Sequence, residues 1–235
     1  MSSNSEVSYG ARIGNAEKLV AALQNFNNYT PIKPEYSITA YSDLITAIKS
    51  QNNDVASKKQ SYSLAVEKRK QVYDSKTNAI NKLLSPINAA VKVSYGRTAK
   101  EATDVASIIA KIRGANIKSK KTANPDEATV SQSYQSFNSK AQFFADLIAN
   151  LTNFGTDYTP ANTEISITEL NNRYNDAITA NNDVMNNFTQ FVQNNKVRIE
   201  SYNTLSQIAI RIKDSIKAQY GNNSTEYNLV KGLKI

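Results

Sequence analysis

The chain has 235 residues and a formal net charge of +8, and it contains neither cysteine nor histidine. Without these residues it cannot form disulfides, thiolate nucleophiles, histidine-based triads or the usual transition-metal sites. Hydrophobic residues make up 40% of the sequence, with only seven glycines and five prolines. Because glycine and proline are the strongest helix breakers, the composition favours long helices and predicts an all-α fold.

The first predicted helix covers about residues 12–26, where Ile13, Leu19 and Leu23 recur at helical spacing. A Tyr-Thr-Pro turn follows at residues 29–31, and a second helix is predicted to begin near Ser37. The apolar stripe of this second helix meets neither glycine nor proline before Pro86.

Two interpretations of the second helix stay open. Either one helix of about fifty residues runs from Ser37 to about Lys92, or Asn52-Asn53-Asp54 interrupts it and Asp54 caps a new helix. The apolar spacing keeps its phase across these three residues, which favours continuity. A Tyr-Gly turn at residues 95–96 then precedes a helix over about residues 98–113, and residues 115–130 read as a polar linker.

The rest of the chain repeats this order of elements. A helix is predicted over about residues 131–153, and Ser166 with Glu169 fits a capping box at the start of a long helix. A short last helix is predicted over about residues 224–232, after a second Tyr-Gly turn. The apolar residues of the long helix are expected to form one buried stripe that includes Ile178, Met185, Phe188, Val192, Val197 and Ile199.

The parallel order of elements reflects a duplication in the sequence itself. Eleven of the 27 residues from Tyr29 to Val55 are identical to those from Tyr158 to Val184, at a constant offset of 129. We therefore interpret residues 1–114 as a first helical repeat and residues 131–235 as a second. Helices of this length are expected to lie side by side in one elongated antiparallel bundle, packed like a coiled coil.

The residues around the Tyr-Gly turns carry a resemblance to a known group of proteins. The first stretch contains Leu84-Ser85-Pro86-Ile87, Ser94-Tyr95-Gly96-Arg97-Thr98 and Lys111-Ile112-Arg113-Gly114, and the second runs from Ile216 through Tyr220-Gly221 to Leu233. With these motifs, most of the chain resembles a group of uncharacterised all-helical proteins that are common in Bacteroidetes. The resemblance implies a helical duplication and supplies no catalytic or binding residues.

The positive charge is concentrated in the first half of the chain. Residues 1–125 contain 19 Lys/Arg and 9 Asp/Glu, a net charge of +10, whereas residues 126–235 contain 9 and 11, a net charge of −2. A basic half can bind an acidic partner or simply form a solvated helix face. The candidate contacts to anions or nucleic acid are Lys58, Lys59, Lys68, Arg69, Lys70, Lys111, Arg113, Lys118, Lys120 and Lys121.

No combination of residues indicates catalysis. Phosphate-binding glycine motifs are absent, and the carboxylates form no recurring pair on one helix face. Asp54 and Asp183 recur in both repeats, where a surface or capping role is expected, and a tyrosine nucleophile would lack an activating neighbour. We therefore predict a cytoplasmic, non-enzymatic structural or protein-interaction protein, without metal or cofactor and without membrane contact. Its expected partner is another protein or a second copy of itself, and no small-molecule substrate is evident. Nucleic-acid binding by the basic half is the alternative.

Overall fold

The computed structural model describes residues 8–114 and 136–235, which form helices and no strand. The all-α fold class predicted from the composition is confirmed. The α-helices are α1 (Tyr9–Asn25), α2 (Ile38–Lys70), α3 (Ile80–Tyr95), α4 (Lys100–Arg113), α5 (Phe137–Asn153), α6 (Ile167–Tyr220) and α7 (Thr225–Val230). Short 3-10 helices cover Pro34–Tyr36, Gly155–Asp157 and Thr163–Ile165. The polar linker predicted over residues 115–130 lies outside the described residues.

The long helices run without interruption through their Asn-Asn-Asp triplets. Asn52-Asn53-Asp54 lies inside α2, and the matching triplet at residues 181–183 lies inside the 54-residue helix α6. The continuity predicted from the unbroken apolar phase is therefore confirmed. The alternative role of Asp54 as a helix cap is wrong, because Asp54 lies inside α2 and not at the start of a helix.

The first long helix ends earlier than the sequence predicted. After α2 the chain forms one π-helical turn, Gln71–Ser75, and then leaves helical geometry until α3 begins at Ile80. The expectation of a single helix to about Lys92 is therefore wrong. The buried residues Ile80 and Leu84 correspond to Leu205 and Ala209 of α6 at an offset of 125 instead of 129. The four extra residues lie in the π-turn and the break that follows it.

Serine side chains mark the starts of several helices, as their sequence patterns indicated. The Ser37 hydroxyl accepts a hydrogen bond from the amide of Ala40 at 3.2 Å, and the Ser224 hydroxyl accepts one from the amide of Tyr227 at 3.1 Å. The Ser166 hydroxyl accepts one from the amide of Glu169 at 3.3 Å. The predicted capping box is formed only in this direction, because the Glu169 carboxylate pairs with the Arg173 guanidinium instead.

The described chain folds into two compact units. Unit 1 consists of residues 8–60 and 189–235, which comprise α1, the beginning of α2, the end of α6, and α7. Its residues pack around a single apolar core with a buried tyrosine on each long helix. The largest contributors to this core are Leu19, Leu23, Tyr41, Ile48, Tyr202, Leu205, Ile212 and Ile216.

Unit 2 consists of residues 61–114 and 136–188, which comprise the end of α2, the π-turn, α3, α4, α5 and the beginning of α6. It has its own core, again with a fully buried tyrosine near the centre. The main contributors are Tyr73, Ile80, Leu84, Ile87, Ile112, Phe144, Leu147 and Leu170.

The two units do not coincide with the two sequence segments that carry the repeat. We call residues 1–114 the first segment and residues 131–235 the second segment. Unit 1 combines the beginning of the first segment with the end of the second, and unit 2 combines the end of the first with the beginning of the second. Each unit therefore needs residues from both segments to complete its core.

Candidate functional site

The basic residues selected from the sequence are mostly engaged in contacts within their own unit. In unit 1, the Lys58 ammonium donates to Gln190 Oε1 at 2.9 Å. In unit 2, the Lys68 ammonium lies 2.9 Å from Asp183 Oδ2. Both partners are polar side chains of α6, so these lysines connect neighbouring helices of one unit. The surface ion pair of Lys68 with Asp183 contributes about 0–1 kcal/mol and offsets the positive charge of Lys68, whereas the neutral Gln190 only accepts a hydrogen bond from Lys58.

Three further basic side chains pack against residues of unit 2. The Arg69 guanidinium stacks 4.0 Å above the Phe137 ring, and the Lys111 ammonium lies 5.6 Å from the centre of the Phe143 ring. Arg113 donates to the Ser85 hydroxyl at 2.7 Å. Lys111 and Arg113 also belong to the last turn of α4, where positive charge stabilises the helix dipole.

The remaining candidates divide into exposed residues and residues that the structure does not describe. Lys59 and Lys70 are exposed on α2, in different units. Lys118, Lys120 and Lys121 lie outside the described residues. Of the described candidates, Lys58, Lys68, Arg69, Lys111 and Arg113 contact other side chains of their own unit, and the role of the set in binding an anion stays a prediction.

A cluster around Tyr202 ties the two segments together inside unit 1. Its ring is fully buried, and its hydroxyl donates to the backbone carbonyl of Tyr9 at 3.2 Å. The Asn52 amide donates to the same hydroxyl oxygen at 2.8 Å. The rings of Tyr9 and Tyr202 lie 4.4 Å apart, and the Arg198 guanidinium covers the Tyr9 ring at 4.4 Å. Both hydrogen-bonding capacities of this buried hydroxyl are thus satisfied.

Tyr73 occupies the same kind of surroundings in unit 2. Its hydroxyl donates to the backbone carbonyl of Phe137 at 2.9 Å and accepts from the Asn181 amide at 3.1 Å. The Tyr73 and Phe137 rings lie 4.8 Å apart, and the Arg69 guanidinium covers the Phe137 ring. The second proton of the Asn181 amide goes to the side-chain oxygen of Asn138 at 3.0 Å.

The two clusters match residue by residue. Tyr73, Asn52 and Arg69 lie 129 positions before Tyr202, Asn181 and Arg198, and each member of a matched pair makes the same type of contact in the other unit. In each cluster the tyrosine and arginine come from one segment, whereas the asparagine and the covered ring come from the other. The clusters are therefore points at which the segments interlock.

The chemistry of the Tyr73 cluster is that of a structural contact. Burial raises the pKa of Tyr73 to about 12, despite the opposing effects of the Asn181 hydrogen bond and the Arg69 charge. A phenol with this pKa stays protonated at neutral pH, and no carboxylate or other base is among its hydrogen-bond partners. An activated tyrosine nucleophile needs the opposite arrangement.

The Tyr-Thr-Pro turns are also held by matched tyrosines. The hydroxyl of Tyr29 donates to the carbonyl of Tyr36 at 3.1 Å, and the hydroxyl of Tyr158 donates to the carbonyl of Ile165 at 2.8 Å. Each bond closes the loop that leads into a long helix. The residues of these turns therefore have a structural role that accounts for their recurrence.

The acidic residues form no candidate metal centre within residues 8–114 and 136–235, where no group of three or more potential ligands is found. Asp54 is exposed, while Asp183 pairs with Lys68. The two recurring aspartates therefore occupy surface positions on their helices. In the same part of the chain, no helix is long and apolar enough to cross a membrane.

The feature that sequence reasoning missed is an apolar face on unit 2. A groove of about 350 Å³ lies between α5 and α6, and the residues that line it carry no charge. They are Ala145, Ile148, Ala149, Thr152, Asn153, Asn171 and Tyr174. Along α6, the groove side continues one turn beyond Tyr174 to Ile178, and then to Met185 and Phe188.

Ile178, Met185 and Phe188 were expected in the core, and this expectation is wrong. Their exposed fractions are 36%, 63% and 44%, and the Phe188 ring contacts the Tyr62 ring of α2 at 5.3 Å. Val192, Val197 and Ile199, farther along α6 in unit 1, are exposed as well. The buried side of the unit 2 part of α6 is instead formed by Leu170, Ala177, Ala180, Asn181 and Val184.

A signal for this exposure is present in the sequence. At the matching positions, 129 residues earlier, the chain has Lys49, Ala56 and Lys59. Two lysines at matched positions indicate a solvent-facing stripe, because a lysine ammonium is almost never fully buried. Comparing the two segments position by position would have separated this stripe from the core.

Comparison with known proteins gives no relative for this chain: no protein-family model matches it, and neither a curated protein nor a solved structure matches it significantly. The resemblance suggested by the Tyr-Gly motifs therefore stays an expectation. Inferences about function consequently depend on the geometry of the two units.

Proposed function

We propose that the protein is a non-enzymatic helical-bundle protein that binds an amphipathic helix of another protein in the uncharged groove of unit 2 and along the exposed apolar side chains of α6 beside it. The observation that carries the proposal is the row of exposed apolar side chains along α6, beside a groove without a charged lining residue. Exposed apolar faces of this kind commonly mark protein-binding sites.

The shape and chemistry of the groove favour a helix as the occupant. Ala145 and Ala149 lie four residues apart on α5, so two small side chains face the same direction and leave room for close approach. Ile148, Tyr174 and Ile178 provide apolar contacts along the sides. A partner helix with apolar residues at intervals of three and four would meet these contacts over two or more turns.

The proposed absence of catalysis is supported by how the polar side chains are used. The buried tyrosine hydroxyls bind backbone carbonyls and asparagine amides, and burial keeps the pKa of Tyr73 and Tyr158 near 12. These interactions stabilise the units and leave no nucleophile beside a base in the clusters described above.

The proposal includes the tandem duplication and an antiparallel arrangement of helices inside each unit. The duplication is supported by the matched contacts of the two tyrosine clusters. The antiparallel arrangement of α4 and α5 is supported by two contacts. Tyr95, the last residue of α3 and just before α4, meets Phe154 just after α5, whereas Lys111 near the end of α4 meets Phe143 within α5. Helices joined by such contacts run in opposite directions.

Nucleic-acid binding by the basic first half is the weaker alternative. It is supported by the net charge of the chain and by the exposed Lys59 and Lys70. It is disfavoured because Lys58, Lys68 and Arg69 contact other residues of their own unit. Titration with mixed-sequence DNA and RNA at low and moderate salt tests it, since phosphate contacts make binding strongly salt-dependent.

Site-specific photo-crosslinking in cells that produce the protein tests the proposed groove. A photoreactive residue is placed at Met185 in one full-length variant and at Lys59, the matched position of Phe188, in the control. We expect discrete protein adducts from position 185, identified by mass spectrometry, and none of the same protein from position 59. The identified protein is then purified and its affinity measured.

A charge-introducing variant gives the quantitative test. Ile178→Lys with Phe188→Lys introduces the residues found at positions 49 and 59, and it should weaken binding of the purified partner at least about tenfold, which corresponds to about 1.4 kcal/mol. The helical circular dichroism should be unchanged, because neither side chain belongs to the core of either unit. Unchanged affinity in this variant, or adducts that are the same at positions 185 and 59, would contradict the proposed groove.

A further inference from the structure

The contacts inside unit 1 join the two segments of the chain at several places. Arg12 donates to the carbonyl of Tyr202 at 2.7 Å and to the hydroxyl of Ser206 at 2.6 Å. At the other end of α1, the Tyr220 hydroxyl donates to the carbonyl of Asn27 at 2.8 Å, and the Tyr220 and Phe26 rings lie 5.8 Å apart. These contacts connect residues that are about 190 positions apart in sequence.

Unit 2 is joined in the same manner. The Tyr73 hydroxyl meets the backbone of Phe137, and the Tyr95 ring lies 5.0 Å from the Phe154 ring. Tyr95 matches Tyr220, and Phe154 matches Phe26, by the repeat of the sequence. Each segment therefore offers the same two surfaces: a beginning with a covered ring and an asparagine, and an end with a buried tyrosine and an arginine.

Neither surface can be satisfied by its own segment in this fold. Tyr73 and Tyr202 are fully buried, and their hydroxyl partners come from the other segment. A buried hydroxyl without its partners is destabilising, in addition to the apolar area that would become exposed. Each segment therefore requires a complementary segment to fold as it does here.

These contacts do not depend on whether the complementary segment belongs to the same molecule. We propose that a second copy of this chain is a partner for both segments: the first segment of one molecule completes both units with the second segment of another. The product is a closed dimer with exchanged segments and with the contacts of the monomer. This interface is separate from the groove on unit 2. The experiment below therefore tests the exchange of segments independently of the function proposed for that groove.

Single-cysteine variants test the exchange in the full-length chain, which has no cysteine of its own. Lys68→Cys and Asp183→Cys replace the two partners of an exposed ion pair that joins the segments in unit 2. The two variants are unfolded, mixed in equal amounts, refolded at about 5 µM or about 500 µM, and treated with a short bismaleimide. A covalent heterodimer forms only when residue 68 of one molecule lies beside residue 183 of the other.

We expect the covalent dimer to increase strongly with protein concentration during refolding. We take an effective concentration of about 1 mM for two segments joined in one chain, so the exchanged share should rise from about 1% at 5 µM to about one third at 500 µM. The double variant Lys68→Cys with Asp183→Cys, refolded at 5 µM, should give an intramolecular cross-link and so establish that the two positions react.

A matched pair within one segment provides the control. Glu17 and Lys49 form an ion pair in unit 1, and both belong to the first segment. Refolded mixtures of Glu17→Cys and Lys49→Cys should give no covalent dimer, because segment exchange keeps both residues in one molecule. The proposal is overturned if the 68/183 mixture gives no covalent dimer at 500 µM while the double variant cross-links, or if both mixtures give dimers equally.

Discussion

Unit 1 and unit 2 have closely matched interiors. In each, a fully buried tyrosine from the end of one segment binds a backbone carbonyl and an asparagine at the beginning of the other. An arginine one helical turn before the tyrosine covers the neighbouring ring. These shared contacts connect the segments, so a change on one side would leave a buried polar group unpaired on the other.

The interiors of the two units are alike, but exposed positions of the long helices carry different residues in the two units. Unit 1 has the ion pair between Lys49 and Glu17. Lys49 corresponds to Ile178, and Glu17 corresponds to Ala145 when Leu19–Phe26 is aligned with Leu147–Phe154, at an offset of 128. Lys59 likewise corresponds to Phe188. The difference indicates that the fold constrains the tyrosine clusters, whereas the outer positions of the long helices are free to acquire separate roles. A binding function is therefore best sought on the outer face of unit 2.

Truncation of the central tyrosines should produce the largest effects. Tyr73→Ala and Tyr202→Ala each remove a buried ring together with its hydrogen bonds, and we expect a loss of about 4 kcal/mol in unfolding free energy for each. Hydrogen exchange measured by mass spectrometry should show the larger loss of protection in unit 2 for Tyr73→Ala and in unit 1 for Tyr202→Ala. Tyr62→Ala, outside both clusters, is the control with a smaller effect. Equal loss of protection in both units for each variant would show that the clusters do not act locally.

Removal of only the hydroxyl should separate hydrogen bonding from packing. Tyr73→Phe and Tyr202→Phe leave an asparagine amide and a carbonyl without their partner, and each should lower the unfolding free energy by about 1–2 kcal/mol. In a double-mutant cycle, Tyr73→Phe should couple with Asn181→Leu by about 1 kcal/mol. Denaturant titration measures these values. Additive effects in the cycle would show that the contact between Tyr73 and Asn181 contributes little.

High pH should destabilise the chain through its buried phenols. Burial raises the pKa of Tyr73 and of Tyr158 from 10.0 to about 12, so the folded state holds these protons more tightly than the unfolded state. Their contribution to stability is complete below pH 10 and is lost as the pH rises from 10 to 12. At pH 11 we expect a loss of about 1 kcal/mol for each group. Urea titrations at pH 8 and pH 11 should show a smaller decrease for Tyr73→Phe with Tyr158→Phe, and an undiminished decrease would refute the assignment.

Shortening the segment between α2 and α3 should have the smallest effect on the unfolding free energy. Deleting residues 75–78 places Ile80 three residues after Tyr73, the spacing that Leu205 has from Tyr202 in the uninterrupted helix α6. We expect a folded protein with unfolding free energy within about 1 kcal/mol of the original, because the buried residues return to helical phase. Circular dichroism and thermal unfolding measure the result. Deletion of two residues is the control, since it puts Ile80 out of phase and should destabilise unit 2.

Local sequence signals predicted most of the helices, but they predicted few of the contacts between helices. Apolar spacing predicted α1 and the continuity of both long helices through their Asn-Asn-Asp triplets. Ser37, Ser166 and Ser224 marked helix starts correctly, because a cap depends on amides only three residues away. The break after Ser75 was missed, since no glycine or proline marks it and the four extra residues become evident only when α2 is compared with α6.

The residues of the candidate site were harder to predict from the sequence than the helices were. Charge clustering selected Lys58, Lys68 and Arg69, but their partners Gln190, Asp183 and Phe137 are between 68 and 132 residues away. Apolar character likewise placed Ile178, Met185 and Phe188 in the core, although they are exposed. A periodic pattern shows which residues share a helix face, but it does not show which faces other helices cover.

The sequence by itself determined an all-α chain and the starts of its main helices, because periodicity and caps are properties of neighbouring positions. It also contains the eleven identities at an offset of 129 residues from which we infer a repeat. Only the tertiary structure decided that the beginning of one segment packs with the end of the other, and that Tyr73 and Tyr202 join them. That choice depends on the burial of whole helix faces and on hydrogen bonds between residues far apart in the chain, which local patterns do not encode.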